Sequence, residues 1–176
     1  MNADIYVGKN AWPFFYASEM KLVANRFYKV YVAHNVLCGA YIAGHVFNET
    51  NRQNLARSMG IVVPLSNLWL QRYVEKRYAR EKEADAIDPV SADFMALHKY
   101  NFQFHVKDIH GATLRACAYT TAYPSIGENA SAVLELNLKE RRRSFFIVEN
   151  VGPREIYLML KPLAGTVRYE LPEKKS

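Results

Sequence analysis

At 176 residues the chain is about one domain, long enough to bury a real core and carry one appendage. Half of its residues are hydrophobic and 23% are charged, which excludes a disordered or low-complexity chain. A net charge of +6, with an isoelectric point near 9.3, suits partners that carry phosphates or acidic surfaces, although solubility alone accounts for many basic proteins.

Before residue 99 the apolar spacing is helical. Pro13 suits a helix start, and Phe14, Met20, Val23, Ala24 and Phe27 fall near one stripe, which predicts a helix from about Trp12 onward. The stretch VYVAHNVLCGAYIAGHVF, residues 30–47, carries no charge. Read as a helix, it places Ala33, Val36, Leu37, Ala40, Ala43 and Phe47 on one face. Tyr31, His34, Asn35, Cys38, Tyr41 and His45 lie on the other. A helix buried in protein is therefore expected over 30–47. A membrane anchor is the runner-up, because Lys21, Arg26 and Lys29 flank the N-terminal side, but a span needs ~20 mostly apolar residues and no polar stripe. Gly60 and Pro64 punctuate the next region. Leu68, Leu70, Tyr73, Val74, Arg77 and Tyr78 begin a second helix that turns strongly charged at EKRYAREKEAD, with Arg77 and Glu81 as an i,i+4 pair on a solvated face. Asp88-Pro89 should stop it, and Ser91 should cap a short third helix.

After residue 99 the period drops to two. Phe102, Phe104 and Val106 alternate with polar residues, and His110-Gly111 resembles a turn. TLRACAYTTA, the Leu134–Leu138 alternation, SFFIVEN, REIYLML and TVRYEL follow as strands. Short connections require antiparallel neighbours. The expected fold is α+β: a helical N-terminal half, residues 1–98, packed on a C-terminal antiparallel β-sheet of five or six strands, residues 99–176, in one domain.

Chemistry-bearing residues are sparse. His34 and Cys38, four apart on the expected helix, are weak candidates to share a metal; His45 lies too far along the axis, and nothing brings His98, His105 or His110 to them. Cys38 and Cys117 exclude a disulfide framework. Asp108-Ile109-His110 offers an acid and a base two apart, which a turn explains equally well. There is no phosphate-cradling glycine loop and no GxSxG, HExxH or paired CxxC, so no catalytic residue or cofactor is predicted. Lys107, Arg115, Lys139, Arg141, Arg142 and Arg143 are the candidate contacts to nucleic acid or an acidic partner, on a basic sheet face and its loop. Sequons at Asn48 and Asn129 matter only in a secreted chain, and no basic segment leading into an apolar run opens this one. An intracellular, cytoplasmic location is favoured, with membrane anchoring second.

The functional expectation is a non-enzymatic structural or adaptor subunit that binds other protein chains or further copies of itself. Nucleic-acid binding through the basic face and a small-molecule enzyme are the alternatives. If residues 30–47 span a membrane, the layout becomes a short N-terminus, one helix and an α+β domain. It is then similar to the inner-membrane assembly proteins of type IV secretion and conjugation machines, a likeness of layout without a motif.

Overall fold

The computed structural model describes residues 12–20, 25–44, 63–117, 130–148, 151–163 and 167–170. In chain order the elements are β1 (Phe14–Glu19), β2 (Arg26–Ala33), β3 (Val36–Ala43), α1 (Val63–Asp85), α2 (Ala92–Leu97), β4 (Phe102–His105), β5 (Ile109–Ala116), β6 (Ala132–Leu138), β7 (Arg142–Val148), α3 (Pro153–Leu160) and β8 (Val167–Glu170). The strands form one mixed sheet in the order β4-β3-β2-β1-β7-β6-β5-β8. The expected helical half does not precede the sheet: three strands come before α1, and they are central to the sheet rather than packed on it.

The misreading has a physical cause. β2 and β3 are buried on both faces, and a strand covered twice reads as a near-continuous apolar run with no alternation to betray it. Within such a run almost any period finds a stripe. The residues themselves favour strand, because Phe27, Tyr28, Val30, Tyr31 and Val32 are aromatic or β-branched. Ala33 pairs with Val36, so His34-Asn35 is the two-residue loop of a hairpin. Residues 30–44 are therefore hairpin, not helix, and His45–Phe47 lie outside the described residues. Among the described residues no helix is long and apolar enough to cross a membrane.

α1 and α2 follow the expected logic. The Ser91 hydroxyl accepts the Phe94 N–H at 3.2 Å and caps α2. The predicted strand REIYLML is instead α3. Pro153 opens the helix, Glu155 accepts the Gly152 N–H at 3.2 Å, and Ile156 and Leu160, one turn apart, enter the core. This helix carries the chain from β7 across to β8, and β8 consequently lies parallel to β5, where antiparallel pairing was expected throughout. His110-Gly111 is a register irregularity inside β5 rather than a turn.

The sheet is curled. Six strand spacings separate β4 from β5 in the sheet order, ~29 Å if it were flat. Only the 3-10 turn Val106–Asp108 joins the two strands, and it reaches at most ~14 Å. The ends must therefore approach one another, with β4 and β5 as two halves of one bent strand. Backbone bonds pin the bend: the Val106 N–H donates to the Asn35 carbonyl at 2.9 Å, and the Lys139 N–H donates to the Asp108 carbonyl at 3.2 Å. Phe15, Tyr28, Leu114, Leu134 and Phe145 fill the interior, with Ile156 of α3 packed among them. Outside, Phe27, Tyr31 and Ile42 meet Ala84 of α1 and Phe94 of α2. Gly39 allows the tightest approach, since a Cβ there would stand 2.1 Å from Cε1 of Phe102, its partner on β4.

Candidate functional site

The two-residue period of β1 sends Phe15, Ala17 and Glu19 inward, and that of β7 sends Arg143, Phe145 and Ile147 inward. Glu19 and Arg143 thus meet inside the curl, 2% and 8% exposed. Arg143 Nε donates to Glu19 Oε1 at 2.7 Å and Nη2 to Oε2 at 2.6 Å, a bidentate pair. The guanidinium lies 4.5 Å from the ring centroid of Phe102, 5.2 Å from Phe104 and 4.8 Å from Phe145. The Tyr28 hydroxyl donates to Glu19 Oε2 at 3.4 Å. Burial pushes the Tyr28 phenol up from its ordinary pKa, and the Glu19 charge adds to the shift, so it remains a donor. This carboxylate is doubly held, and is a structural acid rather than a free base.

A second polar network lies on the outer face beneath α1. Lys29, 4% exposed, reaches Glu81 at 3.1 Å and Asp85 at 2.8 Å. Tyr31 donates to Asp85 Oδ1 at 2.8 Å, and Tyr16 donates to Glu81. Desolvation, then the Asp85 bond, raises the Tyr31 pKa well above its usual value. Arg77 does pair with Glu81, at 3.8 Å, but it is buried against Phe27 and Tyr16 rather than lying on a solvated face.

From the interior a chain of contacts leads to the surface. Arg26 hydrogen-bonds the Tyr28 side chain, and its guanidinium stands 3.7 Å from the Tyr100 ring centroid. Tyr100 meets Tyr41 edge-on at 5.4 Å, and His98 stacks on Tyr41 at 4.3 Å. Arg80 lies 5.2 Å from the Tyr41 centroid, and Lys99 lies 5.0 Å from that of Tyr100. Arg26, Tyr41, Arg80, His98 and Tyr100 are half-buried, and Lys99 is exposed. Among the described residues no carboxylate forms an ion pair with Arg26, Arg80 or Lys99.

His98 feels this crowd. Desolvation first, then the charges of Arg80, Lys99 and Arg26, lower its pKa below the ordinary 6.5. The unfolded chain then takes up the proton first as pH falls, so the contribution is whole above about pH 6.5 and is lost as pH drops through the folded value. The urea midpoint of the wild type is expected to fall more steeply between about pH 7 and pH 5 than that of His98→Gln. Parallel profiles would show that His98 does not carry the effect.

The residues singled out from sequence do not gather. Arg143 is inside, while Arg141 and Arg142 are exposed and Arg142 Nε donates to Asn137 at 2.9 Å. Arg115 is exposed but held by Glu170 at 3.1 Å and Glu135 at 3.9 Å. Lys107 sits in the 3-10 turn and Lys139 after β6, both exposed. The expected basic face is thus broken by an inward arginine and an ion-paired one. His34 is in the hairpin loop against Trp12 and Cys38 is buried in β3, so the helical spacing that would let them share an ion does not exist. Among the described residues no group of three His, Cys, Asp or Glu is placed to hold a metal. Burial pushes the Cys38 thiol up to about 12 and raises Cys117 as well, which keeps both thiols protonated. Asp108 belongs to the 3-10 turn and His110 to the irregularity of β5, so they share no strand face. The sequons at Asn48 and Asn129 lie outside the described residues.

Glu19, Arg26, Tyr41, Arg80, His98 and Tyr100 are not legible as a group, because they come from five separated segments with no motif spacing. The one local signal was His98-Lys99-Tyr100, a basic and aromatic triplet just before a strand. Comparison of the chain with family models, with curated proteins and with solved structures returns no match.

Proposed function

We propose that the chain is a non-enzymatic contact protein, an adaptor or structural subunit of a larger protein assembly. One asymmetry carries this reading. Buried Glu19 is committed to Arg143, and Glu81 with the more exposed Asp85 to Lys29, whereas among the described residues no carboxylate forms an ion pair with the half-buried Arg26 and Arg80 or the exposed Lys99. Charge consumed inside serves the fold, and uncompensated charge at the surface serves association. Aromatic residues interleaved with arginine are also what interface cores favour. The nucleic-acid alternative draws less support, since Arg143 and Arg115 are both engaged elsewhere.

The test is to size the purified protein alone and together with proteins from its own source, using light scattering and cross-linking. A stable complex of defined stoichiometry is expected. A strict monomer that turns over a small molecule would replace this reading with an enzymatic one.

A further inference from the structure

Resting on that reading, we infer that the cluster Arg26, Arg80, Lys99 and His98 is the docking point for an acidic segment of a protein partner. First, α1, β2 and the segment before β4 bring three permanent cations to one pair of tyrosines; among the described residues none of the three forms an ion pair, and Glu19, opposite Arg26 on β1, is paired with Arg143. Mutual repulsion in such a group is relieved by an anion, and an acidic partner segment would supply one.

Second, the rings are already covered. Arg26 occupies a face of Tyr100 at 3.7 Å, and His98 occupies a face of Tyr41 at 4.3 Å with an interplanar angle of 23°. Lys99 and Arg80 also lie over these two rings. What the cluster offers is therefore charge and N–H donors rather than a bare stacking platform. A single-stranded nucleic acid gains ~1–3 kcal/mol per base from stacking on open aromatic faces, and that term has little room here. Carboxylates need only the donors, so acidic side chains fit better than bases.

Third, the donors are preorganised. Arg26 is fixed by the Tyr28 hydroxyl and the Tyr100 ring, and the Tyr100 N–H holds His98 through Nδ1 at 3.2 Å. That bond leaves Nε2 as the proton-bearing nitrogen of neutral His98, a fourth donor in the cluster. Side chains held in advance lose less freedom on binding.

The experiment uses the full chain and a fluorescent hexaglutamate peptide, with an oligothymidylate of equal charge as the second arm. At an ionic strength of about 0.1 M the wild type should bind the peptide, and raising it to about 1 M, where the screening length shortens from ~10 to ~3 Å, should abolish binding. The double variant Arg80→Gln/Lys99→Gln should weaken the peptide by about tenfold or more while keeping the wild-type unfolding midpoint. Lys99→Gln alone touches one exposed side chain and should give a smaller loss, so the test survives if the double variant folds poorly. No peptide binding by the wild type, an undiminished affinity in both variants, or tighter binding of the oligothymidylate each overturns the inference. The two readings separate in the sizing assay. A partner complex that forms equally with the double variant removes this face and leaves the adaptor reading standing; a wild type that assembles with nothing and shows turnover removes both.

Discussion

Replacing Glu19 by Ala is expected to destabilise the protein by about 3–5 kcal/mol, because it leaves the Arg143 guanidinium buried without a counter-charge. Both ends of the pair are almost fully enclosed, and the aromatic rings around the guanidinium offer it only their weakly negative faces. Against a total stability on the order of 5–15 kcal/mol, such a loss leaves a chain near unfolding at room temperature. The reverse logic supplies the control. Glu19→Leu combined with Arg143→Met removes both charges at similar volume, and should recover most or all of the loss, since buried ion pairs replaced by apolar residues are often neutral or stabilising. Urea midpoints of wild type, single variant and double variant decide it. A single variant within about 0.5 kcal/mol of the wild type, the range of ordinary surface substitutions, would mean that Arg143 finds water or another acid when Glu19 is gone.

Phe102→Ala should cost about 3–5 kcal/mol, the range for large aromatic truncations in a core. Its ring touches Tyr28, Phe104 and Phe145, covers Gly39 and backs the Arg143 guanidinium. Gly39→Ala alone should cost about 1–3 kcal/mol by overpacking against the same ring. The two losses should not add. With the ring gone, the new methyl at position 39 enters vacated space, so the combined variant should be no less stable than Phe102→Ala alone. Additive losses would show that Gly39 is needed for its backbone rather than for the space it leaves.

Legibility in the sequence followed the exposure of each element. β6 alternates cleanly because one of its faces is wetter than the other, and Leu134 and Leu136 are recognisable as inward from spacing alone. β2 and β3 hid behind two-sided burial, and α3 hid because its eight residues are too few for a period of 3.6 to stand out from one of two. The parallel placement of β8 was invisible while its crossover helix was read as a strand. For the site, Arg143 stood out as part of a basic triplet, yet alternation along β7 sends it to the opposite side of the sheet from Arg142. Arg26 stands beside Lys29 in sequence and Arg80 inside a charged run, and only the packing of α1 on the outer face brings Arg80 to Tyr41, next to the Tyr100 ring that Arg26 covers.

The seam between β1 and β7 sets a timetable for the molecule as it is made. Ser18 pairs with Phe146 across that seam, and Glu19 waits for an arginine 124 residues further along. At a synthesis rate of roughly 5–20 residues per second, the first strand emerges roughly 6–25 s before its lasting neighbour exists. During that interval FFYASE offers an open ladder of backbone groups flanked by aromatic side chains, the kind of edge on which nascent chains associate with one another. The far edge of β1, the one that β2 does not cover, is thus among the last to find shelter, and the yield of the protein in a cell will depend on what attends that edge meanwhile.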